Sequence, residues 1–195
     1  MKSSEISTHL SKFRIGIAGA GGLGSNCAVA LARSGVGTIV ICDFDVVEED
    51  NLTRQYFFIN QIGMMKTEAL SENIARINPK SVVITHNRKI ISEDVPEIFG
   101  GCHVIVEAFD RAEMKEMLIY SVMNSMPGIP LIVGSGLSGW GDSNHIRCRK
   151  IDDTFYVCGD ECTEAGAYLP PLAPRVGMVA NMQANVVLEI LMKMA

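Results

Sequence analysis

The stretch from residue 13 to residue 42 restricts the fold of this chain more than any other feature. Residues 13–18 form a short apolar run that ends in glycines, which is typical of a buried strand. Residues 23–34 then place apolar side chains at helical spacing, and residues 38–42 form a second apolar run with β-branched side chains. Gly35 and Gly37 separate that helix from the second run. The order strand, helix, strand within roughly 30 residues predicts a βαβ unit of a parallel sheet.

The same alternation continues along the rest of the chain. Helices are predicted over residues 66–77, 111–124 and 175–194, and strands over residues 81–85, 104–107 and 130–133. One or two further strands, added in antiparallel direction, are predicted within residues 145–157. The pattern predicts an α/β, Rossmann-like fold with a mostly parallel sheet and helices on both of its faces. No repeat or linker interrupts it, so residues 1–195 are predicted to form a single domain.

Charge and composition exclude several classes of function. The net charge of −5 gives no support for a nucleic-acid-binding face, which needs a clustered positive field. No apolar run reaches the roughly 18 residues of a membrane span, and the polar start does not resemble a signal peptide. The six cysteines are scattered and do not resemble a disulfide scaffold. We therefore expect a cytoplasmic protein with reduced thiols that binds neither nucleic acid nor membrane.

A glycine-rich loop lies between the first strand and the first helix of the βαβ unit. Its four glycines are Gly19, Gly21, Gly22 and Gly24. Glycines allow a close approach of the backbone to a ligand, and the helix that follows offers unpaired N–H groups and a partial positive charge. Asp43, at the end of the second strand, is placed to accept hydrogen bonds from ribose hydroxyls. The loop predicts a nucleotide site, although its pattern alone fits NAD, FAD, S-adenosylmethionine or ATP, and also a tight turn without a ligand.

The segment that follows Asp43 favours ATP. A hydride-transfer site needs a flat, largely apolar pocket for nicotinamide, and it has little use for the polar and cationic side chains found here. Arg54 and Lys66 could neutralise charge on a triphosphate and on departing pyrophosphate. Asn51 could orient a phosphate oxygen or a metal ion. The residues therefore indicate a site that cleaves ATP at its α-phosphate.

Motifs spread over nearly the whole chain resemble one known family. They lie at residues 19–25, 31–37, 43–45, 51–55, 63–66, 76–79, 107–110 and 173–177. In these motifs the chain resembles the ThiF/MoeB/HesA family of E1-like activating enzymes of bacterial thiamine and molybdopterin synthesis. It looks most similar to a short ThiF-like branch associated with thiamine synthesis.

The resemblance implies an adenylyltransferase that activates the C-terminal glycine carboxylate of a small ubiquitin-like sulfur carrier similar to ThiS. The carboxylate attacks the α-phosphorus of ATP, and pyrophosphate leaves. The implied nucleotide-binding residues are Gly19, Gly21, Gly22, Gly24, Asp43, Asp45, Asp50, Asn51, Arg54 and Lys66. The implied catalytic residues are Arg54, Lys66 and Asp110, and Asp110 is also the implied ligand of Mg²⁺. The cofactors expected from the family are therefore ATP and Mg²⁺.

Two departures from the family and one apolar feature complete the predictions. Longer relatives carry two CxxC pairs that bind zinc, whereas Cys158 and Cys162 have a CxxxC spacing and no second pair, so zinc is not expected. The family's arginine-bearing N-terminal segment, which reaches the ATP of a partner subunit, is absent. Residues 111–126 and 176–194 are apolar around much of the helix circumference, which predicts a homodimer.

Three alternatives to this function stay open. One is a related enzyme that adenylates a modified tRNA base. Another is a nucleotide-binding module without turnover, and the last is an unrelated dinucleotide oxidoreductase.

Overall fold

The computed structural model describes residues 2–194. Its helices are α1 (Ser3–Leu10), α2 (Gly22–Ser34), α3 (Lys66–Ile77), α4 (Val95–Phe99), α5 (Ala112–Ser125) and α6 (Ala173–Leu191). Its strands are β1 (Arg14–Ala18), β2 (Thr38–Cys42), β3 (Val82–His86), β4 (Val104–Glu107), β5 (Leu131–Gly134), β6 (Arg147–Lys150) and β7 (Phe155–Gly159). Short 3₁₀ turns lie at Glu49–Thr53, Ile59–Gln61, Ser92–Asp94 and Ser143–His145.

The strands form one sheet in the order β3-β2-β1-β4-β5-β7-β6. All neighbouring pairs are parallel except β6 and β7. This confirms the predicted α/β fold. The antiparallel addition near the C-terminus is β6, because β7 itself runs parallel to β5. Helices α1 and α4 were not predicted.

Two apolar cores cover the two faces of the sheet. Ile15 and Ile17 of β1 belong to the core that contains α2, α3 and α6, whereas Ile105 of β4 belongs to the core that contains α4 and α5. The division follows from the strand geometry, since successive side chains point to opposite faces. Gly16 lies under Phe99 of α4, whose ring atom Cδ1 is 2.6 Å from the position of an added Cβ. Helix α4 therefore packs directly on the backbone of β1.

The fold brings the loops that follow the parallel strands to one edge of the sheet. From β1 the chain extends the sheet first through β2 and β3, and later in the opposite direction through β4 and β5. Sheets of this kind have a crevice at the carboxyl ends of the strands where the direction reverses, and ligands bind there. Within residues 2–194, no helix is both long enough and apolar enough to cross a bilayer.

Candidate active site

A cleft of about 920 Å³ opens along this edge of the sheet. It is lined by the loops that follow the parallel strands β1, β2, β3, β4, β5 and β7. The sequence-predicted residues that line it are Gly19, Gly21, Gly22, Asp43, Asp45, Arg54, Lys66 and Asp110. Gly24, Asp50 and Asn51 lie outside the lining. The parallel topology thus gathers side chains from distant positions into one cavity.

The glycine loop is shaped by close backbone packing. Gly19 has a φ of 101°, and its N–H donates to the carbonyl of Cys42 at 2.8 Å. A Cβ at Gly24 would lie 1.8 Å from the carbonyl oxygen of Gly19, so α2 begins directly against the loop. Gly21 precedes the first turn of α2, and no described side chain caps that turn. The first N–H groups of the helix therefore lie at the cleft, which Gly21 and Gly22 line, and remain available as donors for an anion.

Gly24→Ala is expected to destabilise the fold by about 1–3 kcal/mol, because the added methyl group displaces the carbonyl of Gly19. It should also weaken nucleotide binding, since that carbonyl belongs to the loop itself. Gly177→Ala is the matched control, because in the described chain an added Cβ there meets no atom within 4 Å. In the interior of α6 this change should be neutral or stabilise by about 0.5–1 kcal/mol. Urea denaturation and ATP titration calorimetry measure both effects, and equal effects of the two changes would contradict the packing argument.

Asp43 joins the glycine loop to the end of β2. Its Oδ2 accepts the N–H of Ala20 at 2.6 Å, and its Oδ1 accepts the N–H of Asp45 at 2.8 Å. Burial raises the pKa of Asp43, while these two hydrogen bonds and the charge of Lys66 oppose the rise. Each carboxylate oxygen can accept a further hydrogen bond. The side chain can therefore hold the loop and accept a ribose hydroxyl at the same time.

Lys66 is a buried cation at the first position of α3. Its Nζ lies 2.8 Å from Oδ2 of Asp45, and its backbone N–H donates to the carbonyl of the same residue at 2.9 Å. The side chain of Lys66 is 8% exposed and that of Asp45 is 47% exposed. Within residues 2–194 the ammonium group makes only this one side-chain hydrogen bond. Two of its three donors can therefore face phosphate oxygens in the cleft.

Arg54, Asp50 and Asn51 are grouped by the 3₁₀ turn at Glu49–Thr53. The partly exposed guanidinium of Arg54 donates to the carbonyl of Asp50 at 3.1 Å and lines the cleft. The buried Asn51 accepts the N–H of Glu48 at 3.1 Å and thereby caps the turn. In this structure Asp50 and Asn51 contact their own turn, and their contacts with a nucleotide stay a prediction.

Asp110 is an exposed carboxylate just beyond β4 that lines the cleft. It makes no hydrogen bond or ion pair with any other described residue. Mg²⁺ is commonly held by one or two carboxylates together with phosphate oxygens, so a free carboxylate beside the glycine loop fits this ion once a nucleotide is bound. In the described part of the chain, no group of three or more His, Cys, Asp and Glu side chains could hold a metal by itself. Cys158 is buried and Cys162 is exposed.

Comparison with known proteins decides the family. Residues 3–195 match the ThiF family. The chain belongs to the ThiF family. This confirms the resemblance seen in the motifs.

Relatives of this ThiF-family chain include longer proteins. It is 30% identical over 192 residues to adenylyltransferase and sulfurtransferase MOCS3 of Caenorhabditis briggsae, covering 92% of this chain and 46% of that protein. It is 31% identical over 185 residues to the molybdopterin-synthase adenylyltransferase of Haemophilus influenzae, covering 91% and 74%. The chain thus spans less than half the length of the first relative.

Solved structures share the fold of the ThiF-family chain. The E. coli tRNA N6-threonylcarbamoyladenosine dehydratase TcdA in complex with ATP superimposes with a TM-score of 0.86 and 21% sequence identity. The superposition covers 96% of this chain and 89% of that one. At this identity the likeness concerns the fold.

Beneath the cleft of this ThiF-family chain lies an ion pair to which the sequence assigned no role. Glu107, fully buried at the end of β4, lies 2.6 Å from the Nζ of Lys115, which also donates to the carbonyl of Gly134 at 2.9 Å. The N–H of Phe109 donates to the other carboxylate oxygen at 2.7 Å. The signal in the sequence was Glu107 as the single acid at the end of an apolar strand. Its partner, Lys115, lies on α5 and could not be identified from the sequence. The pair joins β4, β5 and α5 beneath the cleft, close to Asp110.

Glu107→Gln is expected to change how stability depends on pH. Burial raises the pKa of Glu107, while Lys115 and the backbone hydrogen bonds oppose the rise. The folded state therefore binds this proton more tightly than the unfolded state, and the stability that the proton contributes is lost as the pH rises through the folded-state pKa. Glutamine does not titrate. As the pH rises from about 4, near the ordinary glutamate pKa, toward neutral, the variant should gain stability relative to the wild type. Urea denaturation across this range checks the sign, and a constant difference would contradict it.

Proposed function

We propose that residues 1–195 act as one adenylation domain, which uses ATP and Mg²⁺ to activate the C-terminal glycine carboxylate of a small ubiquitin-like sulfur carrier. The observation that carries the proposal is the extent of the cleft. It runs from the glycine loop to a second wall built by the loops after β5 and β7. Its volume is near the upper end of the roughly 300–1,000 Å³ range of small-molecule sites, so an acceptor has room beside a nucleotide.

The nucleotide side of the cleft supplies the groups for attack at the α-phosphorus. The N-terminus of α2 binds phosphate oxygens, and Asp43 accepts a ribose hydroxyl. Lys66 and Arg54 stabilise the negative charge that develops on the α-phosphate and on the departing pyrophosphate. Asp110 holds Mg²⁺, which neutralises phosphate charge when the ion is bound.

The reaction itself is a substitution at phosphorus. A carboxylate oxygen of the acceptor forms a bond to the α-phosphorus, and the bond from that phosphorus to the oxygen bridging to the β-phosphate breaks. The products are an acyl-adenylate and pyrophosphate. Support comes from the names of the two relatives, since both are adenylyltransferases. We further propose that the carrier is ThiS-like and that the reaction belongs to formation of the thiazole of thiamine.

Pyrophosphate exchange tests this proposal. Labelled pyrophosphate should enter ATP only when the chain, Mg²⁺ and an intact ThiS-like carrier are all present. The same carrier without its terminal glycine is the matched control and should give background exchange. Exchange supported by tRNA and by no carrier would replace the proposal with the tRNA alternative. ATP binding without any exchange would indicate the other alternative, a nucleotide-binding module without turnover.

We also propose a homodimer. Exposed apolar side chains on α5, one of the two helices identified in the sequence, support it, namely Tyr120 and Met123. A stable interface should bury at least ~1,200 Å². Light scattering at micromolar concentration should give twice the 21.2 kDa of one chain. A mass of one chain that persists on concentration would overturn the proposal.

We place this activity in the cytoplasm. All six cysteines are free thiols, three of them on strands or helices of the core, namely Cys27, Cys42 and Cys158. Reduced thiols of this kind are the rule in reducing compartments.

A further inference from the structure

A buried arginine connects the two loops of the second wall of the cleft. Arg175, in the first turn of α6, is 4% exposed. Its Nη2 pairs with Asp160, which follows β7, and its Nη1 donates to the carbonyl of Gly141 at 2.7 Å. Gly141 belongs to the loop after β5. The adenylation chemistry described above does not use this side chain.

Asp160 is also hydrogen-bonded to the backbone of the loop after β7. Its Oδ1 accepts the N–H groups of Cys162 and Thr163 at 2.9 and 2.8 Å, and its Oδ2 accepts the hydroxyl of Thr163 at 2.8 Å. That hydroxyl oxygen accepts the N–H of Ser138 at 3.2 Å. Burial alone would raise the pKa of Asp160, but these hydrogen bonds lower it to about 2. The carboxylate is therefore charged at neutral pH and holds both loops together with Arg175.

The two loops also touch along their backbones. The N–H groups of Asp160 and Glu161 donate to the carbonyls of Gly136 and Ser135, both at 3.0 Å. A Cβ at Gly136 would clash with the carboxylate of Asp160 at well under 3.0 Å. The backbone of Gly136 therefore lies directly against Asp160, and the two loops are in close contact.

The joined loops face the part of the cleft that the nucleotide residues leave free. Residues 135–138 and 163–166 line the cavity. The predicted nucleotide residues of the lining come from the segments after β1, β2 and β4. A change in the second wall should therefore act on an acceptor rather than on ATP.

We infer that Arg175 is a positioning residue for the acceptor: through Asp160 and Gly141 it holds the loops after β5 and β7 in the arrangement that receives the acceptor's terminal carboxylate. This inference rests on the proposed adenylation of a carrier. Without the guanidinium, Asp160 keeps its backbone partners but loses its counter-charge, and the contact with Gly141 is lost. The acceptor wall then loosens, whereas the glycine loop keeps its own hydrogen bonds to Cys42 and Asp43.

The test compares Arg175→Met with Arg149→Met. Arg149 also pairs with an acid of this loop, Glu161, but both groups are at the surface and neither lines the cleft. With a ThiS-like carrier in pyrophosphate exchange, Arg175→Met should raise the KM for the carrier at least ~10-fold, which is about 1.4 kcal/mol. The Kd for ATP should change less than about twofold, within the scatter expected for a site that keeps its contacts. Arg149→Met should change neither quantity, and Arg175→Lys should recover part of the loss.

Several outcomes would overturn the inference. They are an unchanged KM in Arg175→Met, or a loss of ATP affinity equal to the loss for the carrier. If Arg175→Met does not fold, Asp160→Asn serves as the second variant and should show the same separation of KM from Kd. If the wild type shows no pyrophosphate exchange with any carrier tested, the proposed function fails. Hydrogen exchange with ATP bound then decides the inference. The amides of Ser138, Cys162 and Thr163 should then exchange faster in Arg175→Met with the glycine loop unchanged, and unchanged rates at these amides would overturn it.

Discussion

Lys66→Met is expected to lower the rate of carboxylate adenylation by about 10²–10³-fold, the usual scale for removing one preorganised donor from a transition state. The Nζ of Lys66 is buried beside Asp45 and faces the cleft, so its charge acts where water screens it least. ATP binding should weaken much less. Pyrophosphate exchange gives the turnover, and calorimetry gives the Kd for ATP. Arg54→Ala should likewise lower the turnover and weaken ATP binding.

The structure allows this effect to be separated from unfolding. Asp45 is 47% exposed, so water can replace the lost ammonium partner and the fold should survive. Lys80→Met is the matched control, because this exposed lysine lies outside the cleft. A loss of ATP affinity at unchanged turnover would make Lys66 a binding group and not a catalytic one.

Asp110→Asn should remove Mg²⁺-dependent adenylation and leave the fold intact. The carboxylate is exposed and has no described partner in the folded chain, so its loss costs no native contact. The amide is a poor ligand for a cation that requires carboxylate and phosphate oxygens. We expect exchange to fall to background at every Mg²⁺ concentration, with an unchanged denaturation midpoint.

The control for Asp110→Asn lies three residues further along the chain. Glu113→Gln removes an equally exposed charge from the first turn of α5, outside the cleft lining, and should leave exchange at the wild-type rate. ATP affinity measured without Mg²⁺ should be similar in both variants and in the wild type. Wild-type exchange in Asp110→Asn would end the assignment of this residue.

Three features could be predicted from the amino-acid sequence alone: the βαβ start, the order of the main strands and helices along the chain, and the family. These depend on local patterns: the period of apolar residues, the glycines between elements, and motifs within short segments. Asp43 and Asp110 could be assigned to one edge because both follow parallel strands, whose carboxyl ends share an edge. Helices α1 and α4 escaped prediction because α1 is mostly polar and α4 has only five residues.

The partners of the polar groups could not be predicted from the sequence and are seen in the folded chain. Glu107 lies beside Lys115, and Arg175 beside Asp160, through packing between elements that no spacing in the chain specifies. The same packing turns Asn51 toward its own turn and leaves Asp110 free. The physical reason is that a buried charge must find a counter-charge or hydrogen bonds wherever the folded chain supplies them. Local pattern therefore predicts where strands end, whereas the pairing of charges at those ends depends on the assembled sheet and its helices.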